Sequence, residues 1–269
     1  MNQSVEDAIE EQGEVSGKAR QGEGEELLTV IIPCLNEEEN VEATAESVFE
    51  LAPDLPVDVE LLFIDDGSTD ATLQVMQGIC DAHPECRIMA NPQNLGLGRS
   101  AMKAYQRIDP DSWATVIPGD NEFIFESIWN FLEVRHRYDL IVGYLNNPVI
   151  RPMFRRIASG AFTQLINFLY GFSYRHLNGM KMYRVSCFRG LDIISSGHAF
   201  NAELFAKALL RDPTIRIGQV PYLARGRAHG QTKALQPGSV IQAVKEVYQG
   251  KKSVHDFRKR VIESEEKGK

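Results

Sequence analysis

Two carboxylate clusters stand where apolar, strand-like runs stop. One is Asp65-Asp66, after VELLFI; the other is Asp120 and Glu122, in TVIPGDNEF. Burying unpaired charge is costly. Carboxylates at the end of a buried strand therefore imply work, either accepting hydrogen bonds from a polar ligand or holding a cation. Oxygen donors of this kind suit Mg²⁺ or Mn²⁺, which are commonly shared between one or two carboxylates and a diphosphate. Simpler roles stay open. Asp65-Asp66 can cap the next helix, with Gly67 supplying the turn, and Glu122 can sit in a helix first turn near the positive dipole end. The first strand is not followed by Gly-x-Gly-x-x-Gly, and there is no Gly-Lys-Ser/Thr P-loop. The phosphates of a bound nucleotide would need neutralising by another route, and a cation held by carboxylates provides one.

The elements that must position these residues follow one grammar. Leu27 to Ile32 is a continuous apolar run rich in β-branched residues, as in a buried parallel strand, and Pro33 ends it. Asn36 is placed to cap the following helix, with Glu37, Glu38 and Glu39 in its first turn. VELLFIDDGSTDATLQVMQGIC repeats the pattern, with a helix from about Asp70. CRIMANPQNLGLGRSAMKAYQRI does so again, through a loop at Asn94-Leu95-Gly96-Leu97-Gly98. WATVIPGDNEFIFESIWNFLEVRHR is a fourth unit and YDLIVGYL a fifth strand. Strands alternating with helices predict an α/β, doubly wound, mostly parallel sheet in a single domain. Ligands of such sheets sit beyond the carboxyl ends of the strands. Asn36-Glu37, Asp65-Asp66, Asn94 and Asp120–Glu122 all fall there.

The second half is less regular. RPMFRRIASGAFTQLINFLYGFSYR is helical and apolar with Arg151, Arg155 and Arg156 at its start. Such a helix can lie in a core with a solvated basic end, or on a membrane surface with its cations near lipid phosphates. NGMKMYRVSCFRGL reads as a strand and a short helix. FNAELFAKALLR is an amphipathic helix, IRIGQVPYLARGRAHGQTKAL a strand and a basic loop, and SVIQAVKEVYQG a last helix.

Charge and composition bound the rest. The 269 residues are 43% hydrophobic and 25% charged, as in an ordinary globular chain. The net charge is −8, and residues 1–26 account for −6 of it. That start reads as a solvated, disordered acidic tail. The domain is expected over 27–250, with a charged, frayed tail over 251–269. No basic stripe points to nucleic acid. Cys34, Cys80, Cys86 and Cys187 form no CxxC pair. With no signal peptide and no run of ~18 apolar residues, the expected location is the cytoplasm, free or peripheral at the membrane face.

VIIPCLNEEENV, FIDDGSTDAT, NLGLGRSAMKAY, VIPGDNEF and RGRAHGQTK resemble, in order and spacing, the family 2 glycosyltransferases of GT-A fold. The nearer likeness is to the polyprenyl (dolichyl) phosphate mannosyl- and glucosyltransferases, over roughly residues 27 to 235. The resemblance implies transfer of a hexose from a GDP- or UDP-sugar to a polyprenyl phosphate, with inversion and with Mg²⁺ or Mn²⁺ as cofactor. It places Pro33, Leu35 and Glu37 against base and ribose, and Asp66 (beside Asp65) as the carboxylate that reads the base. Asn94 and Gly96 fall in the nucleotide-sugar site. PGDNE occupies the place of Asp-x-Asp-x-Gln, so Asp120 and Glu122 become the metal and diphosphate residues. Arg227 and Lys233 match a loop that closes over the diphosphate, and His229 lies between them. Arg151, Arg155 and Arg156 are candidates for the acceptor phosphate.

Two departures stand out. Pro118 replaces the first Asp of Asp-x-Asp and can ligate nothing, so Asp120 and Glu122 are expected to form a rearranged metal site. Arg175 stands about where the family often has Asp. A phosphate acceptor needs no general base, whereas an alcohol does; Asp120, Glu122 and Glu203 are the base candidates. Two alternatives remain open: transfer to a soluble or protein-linked alcohol, and a degenerate nucleotide-sugar-binding domain without turnover.

Overall fold

The computed structural model describes residues 26–150, 152–197, 199–226 and 237–267. In chain order these form β1 (Leu27–Cys34), α1 (Val41–Leu51), β2 (Asp58–Asp65), α2 (Thr72–Ala82), β3 (Cys86–Ala90), α3 (Leu97–Tyr105), β4 (Trp113–Val116), α4 (Ile128–Val134), β5 (Leu140–Leu145), α5 (Met153–Tyr170), β6 (Lys181–Arg184), α6 (Phe200–Arg211), β7 (Ile217–Tyr222) and α7 (Pro237–Lys267). The seven strands make one sheet in the order β3-β2-β1-β4-β6-β5-β7. All neighbours are parallel except β6, which runs antiparallel to both β4 and β5.

The central strand β1 and the second half of β2 are apolar on both faces because both faces are covered. Val30, Ile32, Leu61 and Phe63 pack toward α1, α2 and α4. Ile31, Leu62 and Ile64 pack toward α3, α5 and α6. The carboxylates Asp65 and Asp66 stand at the end of β2 and just beyond it, whereas polar residues within the strands are tied down, as Thr29 is by its bond to Glu60. β1, β2, β3 and β4 finish side by side, and their loops form one rim. Gly119 sits against Cys34, where a methyl group would collide with Sγ, and Gly119 N–H donates to the Pro33 carbonyl at 3.2 Å. Gly67, at φ 77°, lies so close to the backbone of Gln93 that any side chain would clash.

Two local expectations are corrected. Asn36 does not cap α1. It adopts φ 57°, and its Oδ1 accepts from Thr69 N–H at 2.8 Å, tying the loop after β1 to the loop after β2. Glu37 to Asn40 form a turn, and α1 starts at Val41. A tertiary bond thus replaces the local one. Nor is 251–267 frayed: α7 is one helix from Pro237 to Lys267. Val247 is buried, and Val254, Phe257 and Val261 continue the half-buried stripe at helical spacing. Lys251 Nζ also donates to the Leu169 carbonyl. Most of the expected acidic tail lies outside the described residues. Its last member, Glu26, is built into the fold, accepting from Trp113 Nε1 at 3.2 Å and Arg135 Nε at 2.5 Å.

Candidate active site

The loop after β2 is organised around Asp66, which is buried. Oδ1 accepts from Asn91 Nδ2 at 2.9 Å, Ser100 Oγ at 2.7 Å and Leu95 N–H at 3.0 Å; Oδ2 accepts from Gly96 N–H at 2.9 Å. One carboxylate therefore holds the end of β3, the Asn94–Gly98 loop and the first turn of α3 in a single geometry. Lys103 Nζ adds a bond to Asn91 Oδ1 at 2.6 Å. Asp65 is buried as well and accepts from Ser68 N–H at 3.0 Å. Gly96 takes φ 85°, and its N–H is shared between Asp66 and Asn94 Oδ1 at 2.9 Å. The Glu37 carboxylate accepts from Asn40 Nδ2 at 2.9 Å, while Glu37 N–H donates to Thr72 Oγ1 at 2.9 Å. Leu35 is half-buried and Asn94 exposed on this rim. Asn91, Ser100 and Lys103 are missing from the residues singled out by sequence. Only the spacing of Ser100 and Lys103 on one face of a helix behind the loop hints at them.

The loop after β4 is sharper. Asn121 adopts φ 52°, an αL conformation that Asn tolerates better than most residues. Asp120 Oδ1 accepts from Glu122 N–H at 3.2 Å. Pro118 is half-buried beside them. The buried Glu122 carboxylate meets Arg155 Nη2 at 3.2 and 3.4 Å. This joins a residue assigned to the cation with one assigned to the acceptor phosphate, 33 positions apart in the chain. Asn121 Oδ1 is buried and has no partner among the described residues. Asp120, Asn121 and Glu122 present oxygen donors only, which fits a hard divalent cation. No group of three or more His, Cys, Asp or Glu side chains able to hold a metal occurs among the described residues. A cation here would need ligands from the substrate.

On the far side of the rim, α5 begins behind Pro152 and ends at Gly171 in the left-handed conformation, whose N–H returns to the Asn167 carbonyl. Its inner face carries the buried Thr163 and Ile166. Its outer face leaves Met153 74%, Phe154 64%, Ile157 63% and Phe168 85% exposed. Beside this ridge lies a cavity of about 230 Å³, lined among others by Tyr144, Arg156, Ser159, Arg175 and His176. The Arg175 guanidinium stacks on the Tyr144 ring at 3.7 Å. Among the described residues, no helix is long and apolar enough to cross a membrane.

Glu203 is corrected as a base candidate. It is fully buried and salt-bridged to Lys207 at 2.8 Å, and it accepts from Ser195 N–H at 2.9 Å and Ser195 Oγ at 2.7 Å. Burial acts to raise its pKa, yet bonds from Lys207 and Ser195 hold the carboxyl below its ordinary value. It is a structural anchor for the segment before α6. Arg151, Arg227, His229 and Lys233 lie outside the described residues.

Comparison with known proteins agrees with this architecture. The family model described as Glycosyl transferase family 2 matches residues 29–197. The dolichol-phosphate mannosyltransferase of Saccharomyces cerevisiae is 26% identical over 235 residues, covering 82% of this chain and 86% of its own. The dodecaprenyl-phosphate galacturonate synthase of Rhizobium johnstonii is 27% identical over 210 residues, covering 77% of this chain and 61% of its own. Among solved structures, glucosyl-3-phosphoglycerate synthase of Mycobacterium tuberculosis with phosphoglyceric acid superposes with TM-score 0.64 at 18% identity, over 84% of this chain and 80% of that one. The same enzyme with Mn²⁺, UDP-glucose and phosphoglyceric acid gives 0.63 at 17%. At such identity the likeness speaks for the fold alone, which is GT-A.

Proposed function

We propose a reaction for this chain, which belongs to glycosyl transferase family 2 and is a glycosyltransferase: it moves a hexose from a nucleotide diphosphate sugar to a polyprenyl phosphate, by a single inverting displacement. The observation that carries the acceptor assignment is the cavity beside α5. Arg156, Arg175 and His176 suit an anionic head group, and the exposed ridge of Met153, Ile157 and Phe168 beside it suits an apolar chain. Arg175 in place of the family's Asp also favours an acceptor that is already ionised over one that needs a base.

On the donor side, Pro33, Leu35, Glu37, Asp65 and Asp66 border the nucleoside. Asp66 does so through Oδ2, since Oδ1 already takes three bonds. Asn94 and Gly96 continue the border. Asp120 and Glu122 are the residues that would hold Mg²⁺ or Mn²⁺, and the ion would offset charge developing on the leaving diphosphate. Arg155 is paired with Glu122, and its helix neighbour Arg156 lines the acceptor cavity. By the family resemblance, Arg227 and Lys233 would supply positive charge to the diphosphate, and Arg151 would serve the acceptor phosphate. The chain's work is orientation and electrostatic stabilisation, with no protein base drawing a proton from the acceptor.

The test is calorimetric titration of UDP and GDP, each with Mn²⁺, Mg²⁺ or EDTA, followed by a transfer assay offering a short-chain polyprenyl phosphate and the matching alcohol. Binding of one nucleotide that collapses with EDTA, and transfer to the phosphate only, is the expected result. Binding that ignores EDTA removes the cation. Transfer to the alcohol removes the acceptor assignment, and binding without any transfer removes turnover.

A further inference from the structure

β6 runs antiparallel between β4 and β5, so its first residue lies at the edge where the parallel strands end. That residue is Lys181. It is 8% exposed, opposite Val142 of β5 and adjacent to Met182, which faces Thr115 of β4. Its Nζ turns back along the chain, toward the rim, and donates to the Gly179 carbonyl at 2.6 Å. An ammonium has three donors, and this one pairs with no carboxylate among the described residues. Burial pulls its pKa down to about 7. An isolated buried cation is costly, and the cost is offset when an anion arrives.

The rim is where an anion would arrive. At Gly179 a Cβ would come within 2.5 Å of the Tyr222 ring. Tyr222 packs edge-on against Phe123 with centroids 5.2 Å apart, and Phe123 directly follows Glu122. Gly179, two residues before β6, and the Asp120–Glu122 loop thus share one aromatic wall. Asn178 Oδ1, three residues before Lys181, is buried without a partner among the described residues.

We infer that Lys181 is a substrate-binding residue whose ammonium meets a phosphate, either of the donor diphosphate or of the acceptor phosphomonoester. The inference rests on the proposed reaction and adds to it a cation from the sheet itself. The charged or titratable groups on the flanking elements are Asp120 and Glu122 after β4, Tyr144 on β5, Arg155 and Arg156 on α5, Arg175 and His176 before β6, and Tyr222 on β7. Of these, His176 carries an imidazole, the side-chain type that titrates near neutrality when free, and needs a control.

The experiment is calorimetry of the full chain near neutral pH with UDP, with GDP and with a short-chain prenyl phosphate, in buffers of different ionisation enthalpy. Wild type is expected to take up part of a proton with one ligand, because an anion beside Lys181 raises its pKa. Lys181→Met should weaken that ligand by about tenfold or more, abolish the uptake and leave the other ligand unchanged, which identifies the phosphate bound. Lys181→Arg should keep the affinity without the uptake. Uptake that disappears in His176→Gln, or that is absent for every ligand the wild type binds, overturns the inference, as does unchanged binding by Lys181→Met. The wild-type measurement and Lys181→Arg decide the matter if Lys181→Met does not fold. If wild type binds a ligand and Lys181 is silent, the proposed reaction stands. If wild type binds none of the ligands, the reaction falls and the inference with it.

Discussion

The two ends of the rim are built on opposite principles. Around β1, β2 and β3 the polar groups satisfy one another: Asp66 takes four bonds from its own chain, Asn36 clasps Thr69, and Lys103 closes on Asn91. Around β5, β6 and α5 they do not. Phe168 is 85% exposed, the exposed Arg175 lies on the half-buried Tyr144 ring, and Lys181 is buried without a carboxylate partner among the described residues. Folding alone completes the first region, so it is preorganised and its ligand pays little for ordering. The second region is left incomplete, and an amphiphile with an anionic head would complete it. The Glu122–Arg155 pair is the seam between them.

The largest expected effect lies at the seam. Asp120→Ala should lower kcat by about a hundredfold or more, because charge on the leaving diphosphate loses its stabilisation. Its melting temperature should stay near wild type, since Asp120 lies in a loop at the rim. A steady-state assay with a parallel thermal melt checks this, and a variant that turns over at the wild-type rate would end the assignment.

Next in size is a change that should spare chemistry and cost stability. Glu203→Ala leaves Lys207 buried and unpaired, and losing one partner of such a pair costs about 3–5 kcal/mol. Chemical denaturation measures it. The pH dependence has a definite sign. The folded carboxyl titrates below its ordinary value of 4.5, so its contribution is fully present above that range and is lost as pH falls through the folded pKa. The wild type should therefore lose stability in acid more steeply than Glu203→Ala.

Within the self-satisfied region, Asp66→Asn should weaken nucleotide binding by about tenfold, because an amide cannot accept all the bonds from Asn91, Ser100, Leu95 and Gly96. Calorimetry with the preferred nucleotide measures it. Acceptor affinity should not move if the two regions are independent, and a parallel loss there would show that Asp66 organises both.

The self-satisfied region was also the more legible in sequence. The run from Leu27 to Ile32 and the breaks at Pro33, Gly67 and Pro118 announce buried strands and their ends, because a strand covered on both faces has no polar alternation to obscure it. The rim loops follow from that. What sequence does not carry is pairing at long range. Nothing near Asn36 says that Thr69, rather than the helix ahead, will take its side chain, and nothing near Glu122 points to Arg155. The length of α7 was hidden by composition. Its exposed lysines and arginines outnumber the stripe of Val254, Phe257 and Val261 that holds it to the core. Glu203 reads as an ordinary helix carboxylate because its other donor, Ser195, precedes the helix in an irregular segment.

The smallest expected effect tests the incomplete region alone. Ile157 and Phe168 are 63% and 85% exposed on α5 and support nothing beneath them. Replacing both with Ser should leave the stability within the narrow range typical of surface changes, about 0.5 kcal/mol. Each apolar side chain withdrawn from a lipid chain forfeits about 1.5–3 kcal/mol at full burial, and these are only partly covered. The KM for a long-chain polyprenyl phosphate should therefore rise several-fold, while a short-chain acceptor that stops at the cavity of Arg156 and Arg175 should be used as before. A rise in KM for both acceptors would mean that the substitutions disturb the head-group cavity. No rise for either would mean that the ridge faces something other than the acceptor, and the contrast between the two ends of the rim would then rest on Arg175 and Lys181 alone.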